Sequence, residues 1–361
     1  MRIAYNLTKL HQSAGGSSRV TEYTYDKDNR PVTVKVNGKT ITDSYNATGT
    51  RSSRVYGFAT PYTVSFGYLA GANGSKTTML QSYRNGSDAA YTYTYDNNGN
   101  VTAISQGAKS AAYTYDALNQ LTRINDGFTN KTTTYTYDKA NQLVSSKNAD
   151  GKVTKYEYDA AGRMVKEGEK TFAYGWLDKV MQVAENGKTT QTYTYDMLGQ
   201  LATADYGDSK ETFLWDGLAL LSRNNLKYVN EPAVTGGNPI LAGDKMLFDD
   251  MLGNTLGVKD GEKFSAIDRD AFGELKPGEK PNLAVNFFTG KPEIDGLGYS
   301  FLFCHSRADL GKWQTIYPAG YPDGWNNLAY CNNGFTTSVD PLGLEIEFKI
   351  TGASNYNDTS N

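Results

Sequence analysis

A four-residue motif, Tyr-X-Tyr-Asp, recurs about every twenty residues through the first two thirds of this 361-residue chain. The copies, several of them variants, lie at 23–26, 43–46, 93–96, 113–116, 135–138, 156–159, 193–196 and 213–216. A fixed period of this length is typical of repeat architectures, in which each supersecondary unit buries its apolar face against its neighbours. The fold is therefore set by how one unit is built.

Each copy of the motif predicts a β-strand followed by a tight turn. Strand side chains alternate between faces, so the two aromatic rings share one face. In seven copies the residue three positions after the motif is Gly or Asn, which tolerate positive φ. These residues are Asn29, Gly49, Gly99, Asn119, Asn141, Gly162 and Gly199. We expect a type I turn closed by a G1 bulge, with Asp at its start. Ala219 stands at this position in the last copy, which we expect to turn differently.

An apolar return strand follows each turn, for example at 101–104 and 121–124. The Asn-Gly pairs at 37–38 and 186–187 predict further hairpins. No helical period runs over a useful length. The predicted fold class is all-β: a coiled antiparallel ribbon of β-hairpins in which successive units pair edge to edge.

Composition changes along the chain suggest five segments. Residues 1–20 form a partial repeat or the start of a fragment, and residues 21–230 form the repeats, of which 56–85 are degenerate and predicted to be a longer loop or a decayed unit. Divergent repeats follow at 231–275, then a closing module dense in Pro, Gly and aromatic residues at 276–344. The tail, 345–361, is too short to fold alone and ends in a polar stretch predicted to be disordered.

The composition argues against several classes of protein. With 36 Lys and Arg against 39 Asp and Glu, the net charge of −3 gives no electrostatic reason to expect nucleic acid as a partner. No segment approaches the roughly 18 apolar residues that cross a bilayer, and the N-terminus lacks the apolar core of a signal peptide. The two histidines, His11 and His305, and the two cysteines, Cys304 and Cys331, predict no metal or cofactor. Two free thiols and a single disulfide are both compatible with the sequence.

The repeats are followed by FFTGKPEIDGLGYSFLF, RADLGKW, YPAGYPDGWNNLAYCNN and VDPLGL. This ordered series, over roughly residues 20–344, resembles the rearrangement-hotspot (RHS, or YD-repeat) family with its associated core module. The resemblance implies a β-ribbon that coils into a hollow shell around a C-terminal toxin, with the core module closing one end. It also implies self-cleavage after Leu344, export or display by a bacterium, and two kinds of partner: a toxin or effector cargo and further shell segments.

The resemblance places an aspartic-type autoproteolytic site in the core module. Such hydrolysis needs two carboxylates whose pKa values are pushed apart, one acting as acid and one as base. Asp340 matches the family's DPxGL aspartate, but the second position, in an upstream D-P-[AI]-G segment, is Tyr317 here, and a phenol is a poor substitute at neutral pH. Asp309 and Asp323 are the candidates to replace it, with Arg307 holding a carboxylate charged. Ordinary turn chemistry is the alternative explanation for these residues.

Two hypotheses of function from different classes follow. The first is a scaffold fragment of a toxin-packaging shell, and the second is a surface adhesion or carbohydrate-binding array that uses exposed tyrosines. A single turn of about a dozen units would enclose a space about 27 Å across, whereas a 100-residue domain needs about 34 Å, so a complete shell requires more repeats. The direction of the rings separates the hypotheses, since inward rings favour a shell and an outward row favours sugar binding.

Overall fold

The computed structural model describes residues 6–14, 17–36, 38–57, 60–71, 75–128, 130–231, 236–250, 252–261, 263–267, 269, 272–275, 282–316, 318, 320, 326–333, 338–344 and 348–349. The chain divides into two compact units, Met1–Thr92 with Phe348–Asn361, and Tyr93–Glu347. These described residues contain no α-helix. Their helical segments are short 3₁₀ turns, at Trp176–Asp178, Leu283–Val285, Ala308–Leu310 and Tyr330–Asn333.

The first unit is a series of β-hairpins. Its strands are β1 Lys9–Ala14, β2 Ser17–Tyr25, β3 Pro31–Val36, β4 Lys39–Tyr45, β5 Arg51–Gly57, β6 Tyr62–Ala70, β7 Lys76–Asn85 and β8 Tyr91–Tyr95, and the division between the units falls within β8. Each strand pairs antiparallel with the next one along the chain.

The second unit continues the same pattern and adds the closing module. Its repeat strands are β9 Val101–Gln106, β10 Lys109–Tyr115, β11 Leu121–Asp126, β12 Lys131–Tyr137, β13 Leu143–Asn148, β14 Val153–Tyr158, β15 Met164–Glu167, β16 Lys170–Tyr174, β17 Val180–Glu185, β18 Lys188–Tyr195, β19 Leu201–Asp205, β20 Lys210–Asp216, β21 Ala219–Arg223, β22 Leu226–Glu231, β23 Asn238–Ala242, β24 Lys245–Asp249, β25 Thr255–Asp260 and β26 Lys263–Ala266. From β9 to β26 each strand again pairs antiparallel with the next. The predicted all-β ribbon of hairpins is confirmed.

A separate five-stranded sheet forms the body of the closing module. Its strands are β27 Phe287–Phe288, β28 Lys291–Ile294, β29 Gly298–Ser300, β30 His305–Arg307 and β31 Lys312–Trp313, joined in chain order by antiparallel pairs. Two further short strands are β32 Ser338–Val339 and β33 Phe348–Lys349. The module is compact, since the side chains of Trp313 and Tyr330 are fully buried and their rings lie 5.2 Å apart.

The turn after every copy of the motif except the last, at 213–216, has the predicted geometry. At Asp116 the backbone N–H donates to the carbonyl of Gln120, and Asn119 N donates back to the carbonyl of Asp116, at 3.0 and 3.1 Å. Asp116 Oδ1 accepts from the backbone N of Leu118 and of Gln120, at 2.8 and 2.9 Å. Asn119 has a φ of 59°, which places it in the left-handed region. The same carboxylate-capped turn occurs at Asp26, Asp96, Asp138, Asp159, Asp196 and Asp250.

Replacing Gly99 with valine tests the backbone conformation of these turns. Gly99 has a φ of +86°, and a Cβ added there would meet no atom within 4 Å, so the cost of a side chain is conformational strain alone. We expect Gly99→Val to lower the free energy of unfolding by about 1–2 kcal/mol. Gly99→Asn is the matched control, because Asn119 occupies the equivalent position, and urea titration of the three proteins measures the difference. Equal stability of the two variants would contradict the strain.

The two aromatic residues of each motif have different roles. The first ring is buried, as at Tyr113, which is 4% exposed. The second is half-buried, and its hydroxyl donates to the carbonyl of the first residue in the preceding return strand, as Tyr115 does to Val101 at 2.9 Å. The same bond joins Tyr45 to Pro31, Tyr68 to Arg51, Tyr137 to Leu121, Tyr174 to Met164 and Tyr195 to Val180, and the indole of Trp215 makes it to Leu201. We call this series the tyrosine ladder.

Tyr115 is the residue at which we test the tyrosine ladder. Tyr115→Phe removes only the hydroxyl and should cost about 1 kcal/mol, whereas Tyr115→Ala also removes the packed ring and should cost about 3 kcal/mol. Thermal and urea unfolding monitored by circular dichroism give both values. If Tyr115→Ala has the stability of the unmodified chain, then packing of the ring does not contribute to the free energy of unfolding, and the prediction is wrong.

Two segments that depart from the repeat rhythm also form hairpins. Within residues 56–85, for which the sequence suggested a longer loop or a decayed unit, β6 and β7 form strands of nine and ten residues. Their alternating apolar side chains are buried, including Val64 and Tyr83 at 0% exposure, which explains why Gly and Ser between them do not prevent a strand. The last motif turns differently, as expected from Ala219. That residue pairs directly with Asp216 across a two-residue turn with Gly217 at a φ of 56°.

The motif copy at 43–46 replaces the usual apolar core with charges. Asp43 stands where the other copies have their first aromatic ring, and it pairs across the strands with Arg54. Arg54 is fully buried, and it donates to both carboxylate oxygens of Asp43 at 2.8 Å. Arg51 adds a third charge, with Nε 3.3 Å from Asp43 Oδ1. A cluster of this kind holds together only while every charge keeps its partner.

Candidate functional site

The closing module rests on the ring-bearing face of the second unit's ribbon. Tyr193 donates its hydroxyl to the carbonyl of Asp295, and Tyr228 donates to that of Ala284, both at 2.7 Å. Tyr195 already donates to the ribbon, so it accepts from His305 Nε2 at 3.2 Å. The neutral imidazole of His305 therefore carries its proton on Nε2. The tyrosine side chains thus form the surface on which the closing module packs.

Arg307 in β30 binds two carboxylates, Asp309 in the closing module and Glu167 in the ribbon. It donates from Nε and Nη2 to Asp309 at 2.9 and 2.7 Å, and from Nη2 to both oxygens of Glu167 in β15 at 2.9 and 3.0 Å. Burial alone raises the pKa of Asp309, but the guanidinium of Arg307 more than offsets it and holds that pKa below its usual range. The geometry places Arg307 where it keeps Asp309 ionised, which suits a structural ion pair as well as a catalytic one.

Asp340 caps the turn that precedes the predicted cleavage position. Its Oδ1 accepts from the backbone N of Leu342, Gly343 and Leu344, at 3.2, 2.7 and 3.1 Å. Gly343 has a φ of 75°, and the Asp-to-Gly spacing is that of the repeat turns. Asp340 is fully buried, whereas the aspartates of the repeat turns other than Asp250 are at least partly exposed. Its backbone N also donates to the hydroxyl of Tyr330 at 3.2 Å.

The candidate cleavage residues fall into two different surroundings. Asp340 lies in its own turn beside Tyr330, whereas Asp309 contacts Arg307 and, through its backbone carbonyl, Lys131. Tyr317 and Asp323 lie outside the described residues. The pairing of Asp340 with a second carboxylate therefore stays a prediction.

Two buried lysines between ribbon and module were not suggested by any sequence pattern. Lys312 is 4% exposed, lies between the rings of Tyr137 and Tyr158 at 5.7 and 5.4 Å, and contacts the Tyr158 hydroxyl at 3.3 Å. Burial lowers its pKa to about 7. Lys179 is 2% exposed, and burial lowers its pKa to about 8. Lysine on a hydrophilic stretch ordinarily indicates a surface position, so only the tertiary structure identifies these two.

Lys312 should make the second unit more stable as the pH rises. Its pKa in the folded protein is depressed from 10.5 to about 7, so the unfolded chain binds the proton more tightly between those values. The free energy of unfolding therefore rises with pH across that window, by an amount on the order of 3 kcal/mol from this group. Lys312→Met should flatten this rise, and urea unfolding of both proteins from pH 7 to 10 measures the difference. Parallel pH profiles would contradict the assignment.

The cysteines and histidines take no part in a recognisable reactive cluster. Cys304 and Cys331 are free and buried, and burial raises the pKa of the Cys304 thiol to about 12. Burial also holds the pKa of His305 well below its usual value. Within the described ranges, no group of three or more His, Cys, Asp and Glu side chains is arranged to hold a metal ion. Over the same ranges, no helix is long and apolar enough to cross a membrane.

Comparison with known proteins identifies the class to which this ribbon belongs. Residues 62–213 match the family model described as Teneurin YD-shell. The Photorhabdus luminescens Tc holotoxin pore has the same fold over 91% of this chain, with 17% identity and a TM-score of 0.58. A crystal structure of TcdB2-TccC3 matches 91% of this chain with 16% identity and a TM-score of 0.55. The fold is that of a YD-repeat β-shell, and over the matched residues 62–213 the repeats resemble those of the YD-repeat (RHS) family.

A curated relative adds a match in sequence. The tRNA3(Ser)-specific nuclease WapA of Bacillus spizizenii is 30% identical in an alignment of 217 positions that covers 56% of this chain. The chain spans only 8% of that relative, and 21% to 22% of the two solved chains. It therefore corresponds to a minor part of each of these proteins.

Proposed function

We propose that this chain is a segment of a YD-repeat shell that packages or delivers a toxin or effector. The observation that carries the proposal is the use of the tyrosine face. The rings are buried or half-buried, and their hydroxyls bind either the neighbouring strand or the closing module, as Tyr115 and Tyr193 do. A ribbon whose aromatic face already holds a folded module is suited to enclosing polypeptide, with cargo and further shell segments as its partners.

The alternative, a carbohydrate-binding array, finds less support. Sugar binding by stacking needs exposed rings, and the first-position rings at Tyr23, Tyr113 and Tyr193 are between 1% and 4% exposed. The second-position hydroxyls in the tyrosine ladder have backbone partners. We therefore expect no binding of this chain to a glycan array. Saturable binding would favour the alternative if Tyr115→Phe keeps it and Tyr115→Ala loses it.

Export from a bacterial cell is part of the same proposal, because a shell of this kind would act outside the cell that makes it. The proposal includes a residual self-cleavage site after Leu344, centred on Asp340. Its support is the position of that carboxylate, which is buried and binds the three amides immediately before the predicted cut. Tyr317, in place of the family's second aspartate, is expected to leave this site impaired.

A protease-protection assay tests the packaging role. A small folded reporter is fused after Asn361, and the fusion is expressed alone and with an upstream YD-repeat segment from the same genome. Since one turn of the ribbon is too narrow for a domain, the reporter should be digested in the fusion alone and survive when the shell is completed. Equal digestion in the two samples, with the two chains shown to co-purify, would contradict packaging.

A further inference from the structure

Residues 301–304, which we call the bridging segment, connect β29 to β30 and lie against the ribbon on one side. Lys179 Nζ donates to the carbonyl of Phe301 at 3.1 Å and also to that of Leu302. Lys179 lies between the 3₁₀ turn Trp176–Asp178 and the first residue of β17. The neighbouring repeat turn also meets the segment, since a Cβ added at Gly199 would lie 3.6 Å from Leu302 Cδ1.

The bridging segment holds the turn at 340–344 on its other side. Phe303 N donates to the carbonyl of Leu342 at 2.8 Å. Gly343 packs so closely that an added Cβ would lie 3.1 Å from both Cys304 N and Phe301 Cβ. This turn is the one that Asp340 caps. The contacts thus run from a ribbon lysine, through the backbone of three consecutive residues, to the backbone just before the predicted cut.

Lys179 is poorly replaceable at this place. The carbonyl of Phe301 is buried and that of Leu302 is partly buried, and both need donors because an unsatisfied buried carbonyl is destabilising. Lys179 supplies both hydrogen bonds from one group, and its Nζ also lies over the ring of Tyr195, 5.4 Å from the ring centroid. Burying an ammonium is costly, so a lysine retained here has to offset that cost through these contacts.

We propose that Lys179 is a positioning residue that makes the order of the 340–344 turn depend on the folded ribbon. Without the ribbon, the bridging segment loses its two donors and the turn loses the surface on which it packs. The consequence for cleavage rests on the proposed self-cleavage of this chain: the bond after Leu344 is presented in a fixed geometry only once the repeats have folded. The site would then be regulated by completion of the fold that surrounds it.

Hydrogen exchange at the amides of Leu342, Gly343 and Leu344 tests the coupling in the intact chain, independently of cleavage. Lys179→Met keeps the length of the side chain and removes the donor, so these three amides should exchange roughly tenfold faster as the segment beneath the turn loosens. Lys312→Met is the matched control, a buried lysine whose partners are Tyr137 and Tyr158, and it should leave the three amides unchanged. Lys179→Arg, which can donate to both carbonyls, should restore protection.

Unchanged exchange in Lys179→Met, or an equal increase in Lys312→Met, would overturn the proposal. A second arm follows cleavage in a Tyr317→Asp background, where Lys179→Met should slow the loss of the tail roughly tenfold and Lys312→Met should not. Absence of cleavage in Tyr317→Asp itself would count against the self-cleavage proposal alone, because the exchange measurement still decides the role of Lys179.

Discussion

Asp43→Asn is expected to lower the free energy of unfolding of the first unit by about 3–5 kcal/mol, the range found when one partner of a buried ion pair is removed. The substitution leaves the guanidinium of Arg54 at 0% exposure and that of Arg51 at 6%, each without its opposing charge. Asp28→Asn is the matched control. Asp28 pairs with Arg30 at 3.1 Å on the surface and is half-exposed, so its loss should cost less than about 1 kcal/mol.

The neighbouring repeats supply a rescue for the same site. Asp43, Arg51 and Arg54 occupy the positions held in another unit by Tyr113, Leu121 and Ile124. Replacing all three charges by those apolar residues should return the stability to that of the unmodified chain or above it, since well-packed apolar residues often equal a buried ion cluster. Urea unfolding of the single and triple variants decides the matter, and a triple variant as unstable as Asp43→Asn would show that the site cannot accept the repeat core.

The second large effect concerns covalent integrity. We expect the unmodified chain to keep residues 345–361 through days at neutral and mildly acidic pH, because Tyr317 does not provide the second carboxylate that divides the acid and base roles. Tyr317→Asp should restore cleavage after Leu344, and adding Asp340→Asn should abolish it again. Intact-mass measurement distinguishes the full chain from a product lacking the 17 residues of the tail.

One result would refute the argument from Tyr317. Complete loss of the tail from the unmodified protein would mean that another group already supplies the missing carboxylate. Asp309→Asn and Asp323→Asn would then identify it. Asp309 has a competing structural role through Arg307, so its variant also needs an unfolding measurement to separate lost chemistry from lost stability.

The repeat ribbon could be predicted from the sequence because its signals are local. The spacing of Asp116 and Asn119 alone specifies a carboxylate-capped turn with a left-handed residue, and the structure has that turn. The hairpin at 186–187 follows from Asn-Gly in the same way, with Glu185 paired to Lys188. The ion pair in the charged copy also follows from the repeat, since the register of the repeat places Asp43 opposite Arg54.

The closing module could not be predicted in this way, because its contacts join residues far apart in sequence, such as Lys179 and Phe301 at 122 positions and Lys312 and its tyrosine partner at 154. Nothing near Lys179 or Lys312 in sequence indicates burial, and their partners belong to segments that meet only in the folded second unit. The left-handed conformation of Leu177, with a φ of 54°, could not be predicted from the sequence either, since leucine does not favour that region. The same reason limits the candidate cleavage site, where the motif locates Asp340 but not its neighbours.

The tyrosine ladder has a consequence for how proteins of this kind change length during evolution. Each rung joins a unit only to the one before it, so a whole unit can be gained or lost while every other rung keeps its partner. The closing module removes this freedom where it docks. Glu167 and Tyr195 meet Arg307 and His305 at fixed places, so a unit inserted between those two ribbon residues would carry one of them out of reach. Insertions and deletions of whole units should therefore be rare between Glu167 and Tyr195. A survey of related sequences can compare their number there with their number elsewhere in the ribbon.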